Sequence, residues 1–179
     1  MKKRWIILSI LAVLITSLYG MYKIVQHCSY YSVYYAQHMT EKPDLDIVTK
    51  VLIWNLNYIE RIDEGYRYDF DGTNYVEVYD GDIRKGFSFY SEGFAYYRGE
   101  DISWWFDHDM NVTNLFLEGS EEETQILEKN QIDPNQEKQA KQEIYELIQP
   151  IVDIQPEPEV KFQWLFNIYY KRLDAWYRD

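Results

Sequence analysis

The chain has 179 residues, 18 Tyr, an aromatic share of 18% and a formal net charge of -12. That size suggests one domain, and such a density of aromatic residues argues against intrinsic disorder. No acidic residue precedes Glu41, so 14 basic residues face all 30 acidic ones from there on. A body this acidic repels nucleic acid phosphates and anionic membrane surfaces and suits a basic protein partner or plain solvation. The single cysteine, Cys28, excludes an intramolecular disulfide.

Lys2, Lys3 and Arg4 precede an uncharged run from Trp5 to Tyr22, close to the shortest helix that spans a bilayer. The basic cluster places the N-terminus in the cytoplasm and the remainder outside the cell membrane, as a single-pass anchor. A cleaved signal peptide is the competing reading. It lacks an A-x-A-like cleavage site, and the apolar run is long for one. Residues 1–25 are therefore assigned to the basic flank and anchor. Residues 26–43 are a Tyr-rich juxtamembrane segment with short helical spacing, ended by Pro43. Residues 44–179 form the extracellular domain. Asp44 is placed to cap a helix over 44–60, where Leu45, Val48, Leu52, Leu56 and Ile59 recur at helical spacing.

From Tyr66 to Glu118 the pattern has period two. Short runs of Tyr, Phe, Trp and Val are separated by turns such as Asp80-Gly81 and Ser91-Glu92-Gly93, which demands antiparallel neighbours. One face is Val76, Val78, Phe87, Phe89, Phe94, Tyr96, Trp104 and Phe106, the expected core. Ser120 and Glu123 match a capping box and predict a weak, exposed helix over 120–131. Asp133 and Pro134 start a helix that ends near Gln149 before Pro150. Pro156-Glu157-Pro158 reads as an extended linker. After it, Val160, Phe162, Trp164, Phe166, Ile168 and Tyr170 alternate as in a strand. Phe162, Leu165, Phe166, Tyr169 and Leu173 also form a helical stripe. β-propensity and the Pro-rich approach tip 160–170 toward a strand. The expected class is α+β: an N-terminal transmembrane helix, an antiparallel β-meander, packing helices and a C-terminal strand.

No catalytic constellation emerges, so the chain reads as a non-enzyme with no metal or cofactor site. Asp107-His108-Asp109 would set its two carboxylates on one face if it were an extended strand, but it has too few converging ligands for a metal, and solvated turn residues are the favoured reading. Asp69-Phe70-Asp71-Gly72 starts like a calcium loop, but Asn74 and Asp80 stand where glycine and glutamate are required. Asn111-Val112-Thr113 is a bare glycosylation sequon. The side chains expected to meet a protein partner lie opposite the core positions: Tyr75, Tyr79, Tyr90, Tyr97 and Trp105, with Asp107 beside them. For Trp105, burial under a helix is an equal alternative.

The basic-flanked anchor, the acidic ectodomain, the Tyr-rich meander and the late run Phe162-Gln163-Trp164-Leu165-Phe166-Asn167 give a layout that resembles the TipC family of membrane-anchored immunity proteins of Gram-positive bacteria. The resemblance lies in layout and transfers no site residue. It implies an extracellular binding protein that neutralises a secreted LXG-type toxin, the partner having a basic surface. The alternative is a structural or accessory subunit of a cell-surface or secretion assembly.

Overall fold

A computed structural model describes residues 2–39, 44–69, 75–90, 93–118 and 124–178. The apolar run and its polar continuation form one helix, α1 (Lys2–Tyr30), of 29 residues. The stretch Arg4–Tyr30 is long and apolar enough to cross a membrane. Burial begins at Cys28 and Ser29, in the last turns of that helix. Cys28, Val33, Tyr35 and Ala36, from the segment expected to lie between anchor and domain, thus belong to the core. In α2 (Ser32–Gln37), Val33, Tyr35 and Ala36 are buried among residues of the later helices and the sheet. The Tyr35 hydroxyl is central here. It lies 2.8 Å from His27 Nε2, donates to the Val160 carbonyl at 3.3 Å and accepts from the Phe162 N–H at 3.0 Å.

The helix α3 (Leu45–Trp54) starts at Asp44, whose carboxylate accepts from the N–H groups of Asp46 and Ile47, as its position in the sequence predicts. It stops six residues before the expected end at Glu60. The Asn55 side chain donates to the Val51 carbonyl, taking up one of the terminal acceptors. Leu56 and Ile59 are nevertheless buried, from a turn rather than from a helix.

Seven strands follow: β1 (Tyr66–Asp69), β2 (Tyr75–Asp80), β3 (Ile83–Tyr90), β4 (Gly93–Arg98), β5 (Ile102–Phe106), β6 (Val112–Glu118) and β7 (Thr124–Glu128). They pair in sequence order, all antiparallel, as one meander. The seventh strand corrects the helix expected over 120–131; Ser120 and Glu123, its proposed capping pair, lie outside the described residues. A short exposed helix has almost no apolar face to bury. As a strand, the same residues satisfy the open edge of β6, pairing Ile126 with Phe116 and Leu127 with Leu115.

After a 3-10 turn at Lys129–Gln131 comes α4 (Pro134–Asp153), with Asp133 accepting from the Asn135 N–H. It does not end at Pro150. Ile151 and Val152 are buried beyond it, and burying two such side chains, worth roughly 1.5–3 kcal/mol each, offsets the ~3 kcal/mol that an interior proline costs. Gln155 to Pro158 takes no helix or strand, in keeping with the linker reading.

The C-terminal strand is overturned: the chain forms a helix, α5 (Gln163–Arg178). Phe166 is 1% exposed and Tyr170 is also buried, whereas Trp164 is 64% and Ile168 48% exposed. A strand would have buried all four on one face. Both periods were present in the sequence, and the helical stripe is the one that fits the groove beside α1 and α2. There Phe166 stacks on Tyr35 with ring centroids 5.2 Å apart, and Gln163 donates to the Tyr35 carbonyl.

Candidate functional site

Strand register sorts the sheet into two faces. Tyr66, Val76, Phe87, Phe94, Tyr96, Trp104 and Leu115 lie on the first. The helices dock there. Tyr66 donates to the Leu147 carbonyl, and Tyr96 and Arg98 donate to the Glu143 carboxylate at 2.8 and 3.1 Å. Burial and the Glu143 charge push the Tyr96 hydroxyl well above its usual pKa, so it stays protonated and a donor.

The second face carries Tyr75, Tyr79, Tyr90, Tyr97 and Trp105, all five aromatic candidates, brought together by the alternation. Two grooves run across it. One, of about 740 Å³, is lined by Arg67, Tyr75, Glu77, Arg84, Tyr90 and Tyr97 among others. The second, of about 410 Å³, passes from Tyr90 over Trp105 and Phe116 to Ile126. Among the described residues no helical residue lines either groove. Trp105 is therefore not covered by a helix. It lies nearly parallel to Tyr90, centroids 5.3 Å apart, and tilted against Phe116 at 5.4 Å. Tyr79 stands 58% exposed.

The centre of the larger groove is ionic. Glu77 is 3% exposed. Its carboxylate meets Arg67 Nη1 at 3.4 Å, Arg84 Nε at 3.7 Å and the Tyr97 hydroxyl at 3.4 Å. A carboxylate this buried requires such partners. The Arg84 guanidinium also sits 4.9 Å from the Tyr97 ring centroid. Burial and the neighbouring Glu77 charge raise the Tyr97 hydroxyl above its ordinary pKa. The ring lies across Gly86, its cross-strand partner. A Cβ at Gly86 would overlap the end of that ring and the Val76 carbonyl oxygen. Glu100 and Glu118 line the same groove, so three carboxylates share it with two guanidinium groups.

Asp107 is placed differently. It heads a turn in which its carboxylate accepts from the N–H groups of Asp109 and Asn111 and from the Asn111 side chain. Met110, with φ 63°, is held in the left-handed region by that turn. The segment is thus a turn, the reading favoured from the sequence, rather than an extended strand, and Asp109 lies 3.5 Å from the Lys50 ammonium. Among the described residues no group of three or more metal-ligating side chains converges. The calcium-like loop from Phe70 to Asn74 lies outside the described residues. The sequon asparagine Asn111 has its side-chain amide on Asp107.

Burial opposes charge on Asp107. The hydrogen bonds from Asn111 and Asp109, with Lys129 nearby, outweigh it and hold the carboxyl below its ordinary value of 3.8. A depressed carboxyl pKa contributes stability above the unfolded value and loses it as pH falls through the folded one. Asp107→Asn should accordingly lower the melting temperature of the full chain in detergent at pH 7. The gap to the wild type should narrow once the pH drops below about 4. A gap independent of pH would mean that the charge on Asp107 does not support the turn.

Phe116 and Ile126 belong to the aromatic face and were absent from the expected set. The alternation of β6 carries the signal for Phe116. Ile126 was hidden by the reading of its segment as a helix. Glu77 was passed over because a charged residue at a period-two position looks solvated until its buried setting is known, and Arg67 and Arg84 gain their place only as its partners. Comparison of the chain with family models, with curated proteins and with solved structures returns no match.

Proposed function

We propose that the chain is a membrane-anchored binding protein whose helix-free sheet face receives a protein partner. The observation that carries this reading is the division of labour in the sheet. One face is occupied by helices, while the other carries two open grooves lined by Tyr75, Tyr90, Tyr97 and Trp105, with Tyr79 exposed on the same face. Tyrosine and tryptophan are favoured anchors at interfaces, because each supplies a large contact area at a small cost in conformational entropy. The charge balance of the body favours a basic partner.

In its concrete form the partner is a secreted antibacterial toxin, and the protein is the immunity factor that occludes it outside the cell. The resemblance in layout to the TipC family supports this. So does the apolar helix preceded by Lys2, Lys3 and Arg4, which orients the domain to the exterior. The test mixes the full chain in detergent with a secreted toxin encoded beside its gene. A complex is expected, and Trp105→Ala should weaken it by about 2 kcal/mol or more, near thirtyfold. Failure to form a complex at about 1 μM, an affinity of only ~8 kcal/mol, rejects the toxin as partner. A complex indifferent to changes at both Trp105 and Tyr79 moves the interface off this face.

A further inference from the structure

The strongest unexplained surface lies on α5. Its inward face is buried through Phe166 and Tyr170, but Val160 is 56%, Trp164 64% and Ile168 48% exposed. Trp164 and Ile168, four residues apart on the helix, form one apolar stripe, and Val160 stands exposed just before α5 begins. Lys161, Lys171 and Arg172, also exposed, flank it. Between Glu41 and Glu159 the chain has 28 acidic and 10 basic residues; from Val160 to Arg178 it has one acidic and four basic. The one acid, Asp174, is 2.9 Å from the Lys50 ammonium. Lys161 is paired with Glu157 at 2.6 Å, while among the described residues no ion pair engages Lys171 or Arg172. An exposed tryptophan on an apolar stripe with flanking cations is the composition of a helix that lies in a membrane interface.

The position of the stripe fits that composition. At ~1.5 Å per residue, α1 rises about 30 Å from Arg4 to Val25, the thickness of a hydrocarbon core. His27 then stands roughly 3 Å beyond it, at headgroup level. The Tyr35 hydroxyl bridges His27 to the Val160 carbonyl at 2.8 and 3.3 Å, and the His27 ring lies 5.2 Å from that of Phe162. The segment that leads into α5 is therefore held at the depth where headgroups lie. Because burial begins at Cys28, no spacer lifts the domain away.

We propose that the outward face of α5 rests on the bilayer surface, with Trp164 and Ile168 among the headgroups and Lys171 and Arg172 against anionic lipid. The domain is then seated on the membrane by a second contact. This rests on reading α1 as a membrane span, and the test separates the two. The full chain is reconstituted in phosphatidylcholine vesicles with or without phosphatidylglycerol. An environment-sensitive fluorophore is attached in turn at Trp164→Cys, Ile168→Cys, Leu14→Cys and Tyr79→Cys. The native Cys28, 1% exposed, stays in place. Nitroxide lipids quench from the headgroup or from mid-chain. Labels at 164 and 168 should lose most of their emission to the headgroup nitroxide, and more so with phosphatidylglycerol. The label at 14 should be quenched from mid-chain and that at 79 by neither. Quenching at 14 with 164 and 168 as bright as 79 overturns the seating of α5 and leaves the anchor intact. No quenching at 14 overturns the membrane span and the seating with it.

Discussion

Phe166→Ala should destabilise the protein by about 3–5 kcal/mol, the usual cost of emptying a fully buried aromatic site, whereas Trp164→Ala should stay within about 0.5 kcal/mol. The asymmetry follows from α5 being a helix. Phe166 is enclosed by Tyr35, Tyr169 and Tyr170, while Trp164, two residues earlier, faces outward. In a strand the two side chains would share a face and their losses would be similar. Chemical or thermal unfolding of the full chain in detergent measures both. Equal losses would refute the helical docking of the C-terminus. The Phe166 change should also loosen the end of α1, because Tyr35 touches Phe166 on one side and His27 on the other.

Gly93→Ala should cost about 3 kcal/mol or more, at the top of the range for strained backbone sites, and should damage the candidate interface as well as the fold. Gly93 has φ 147°, which residues with a Cβ rarely adopt. A methyl there would overlap the carbonyl oxygen of Phe106, a backbone atom that cannot swing aside. The strain would fall where β4 meets β5, directly beneath the Tyr90 and Trp105 rings, since Gly93 pairs with Tyr90 and lines their groove. Unfolding measurements should show the loss, accompanied by a change in the near-ultraviolet dichroism that reports the stacked rings. A variant as stable as the wild type would mean that the hairpin tolerates a Cβ and that Gly93 is not what brings the strands together.

The two faces of the sheet differ in how they are held. The first is stabilised by burial against α4 and by hydrogen bonds such as Tyr96 to Glu143. Among the described residues the second has no helix across it. Its order comes from contacts within the sheet: Tyr97 over Gly86, Arg84 over Tyr97, and Tyr90 against Trp105 and Phe116. Aromatic and guanidinium groups that support one another in this way are already ordered, so a partner has little side-chain entropy left to freeze.

Much was legible from residue order alone. Alternation in Tyr66–Glu118 indicated five or six strands, their antiparallel pairing and the side of the sheet on which Tyr75, Tyr79, Tyr90, Tyr97 and Trp105 stand, because a period of two leaves only two faces. Asp44 and Asp133 marked two helix starts through their side-chain oxygens. The apolar run marked a helix long enough to span a bilayer. What needed the tertiary structure was every choice between two local patterns of similar strength. The 160–170 run carries both periods, and the cleft beside Tyr35 selects the helical one. Residues 124–128 have weak local preference, and the open edge of β6 makes them a strand. Pro150 should end a helix, yet the burial of Ile151 and Val152 carries α4 past it. The burial of Cys28, Val33 and Tyr35 was also tertiary: they read as a juxtamembrane segment until the core is seen to close over them. Local sequence sets which side of an element is apolar; only the folded chain decides what that side is buried against.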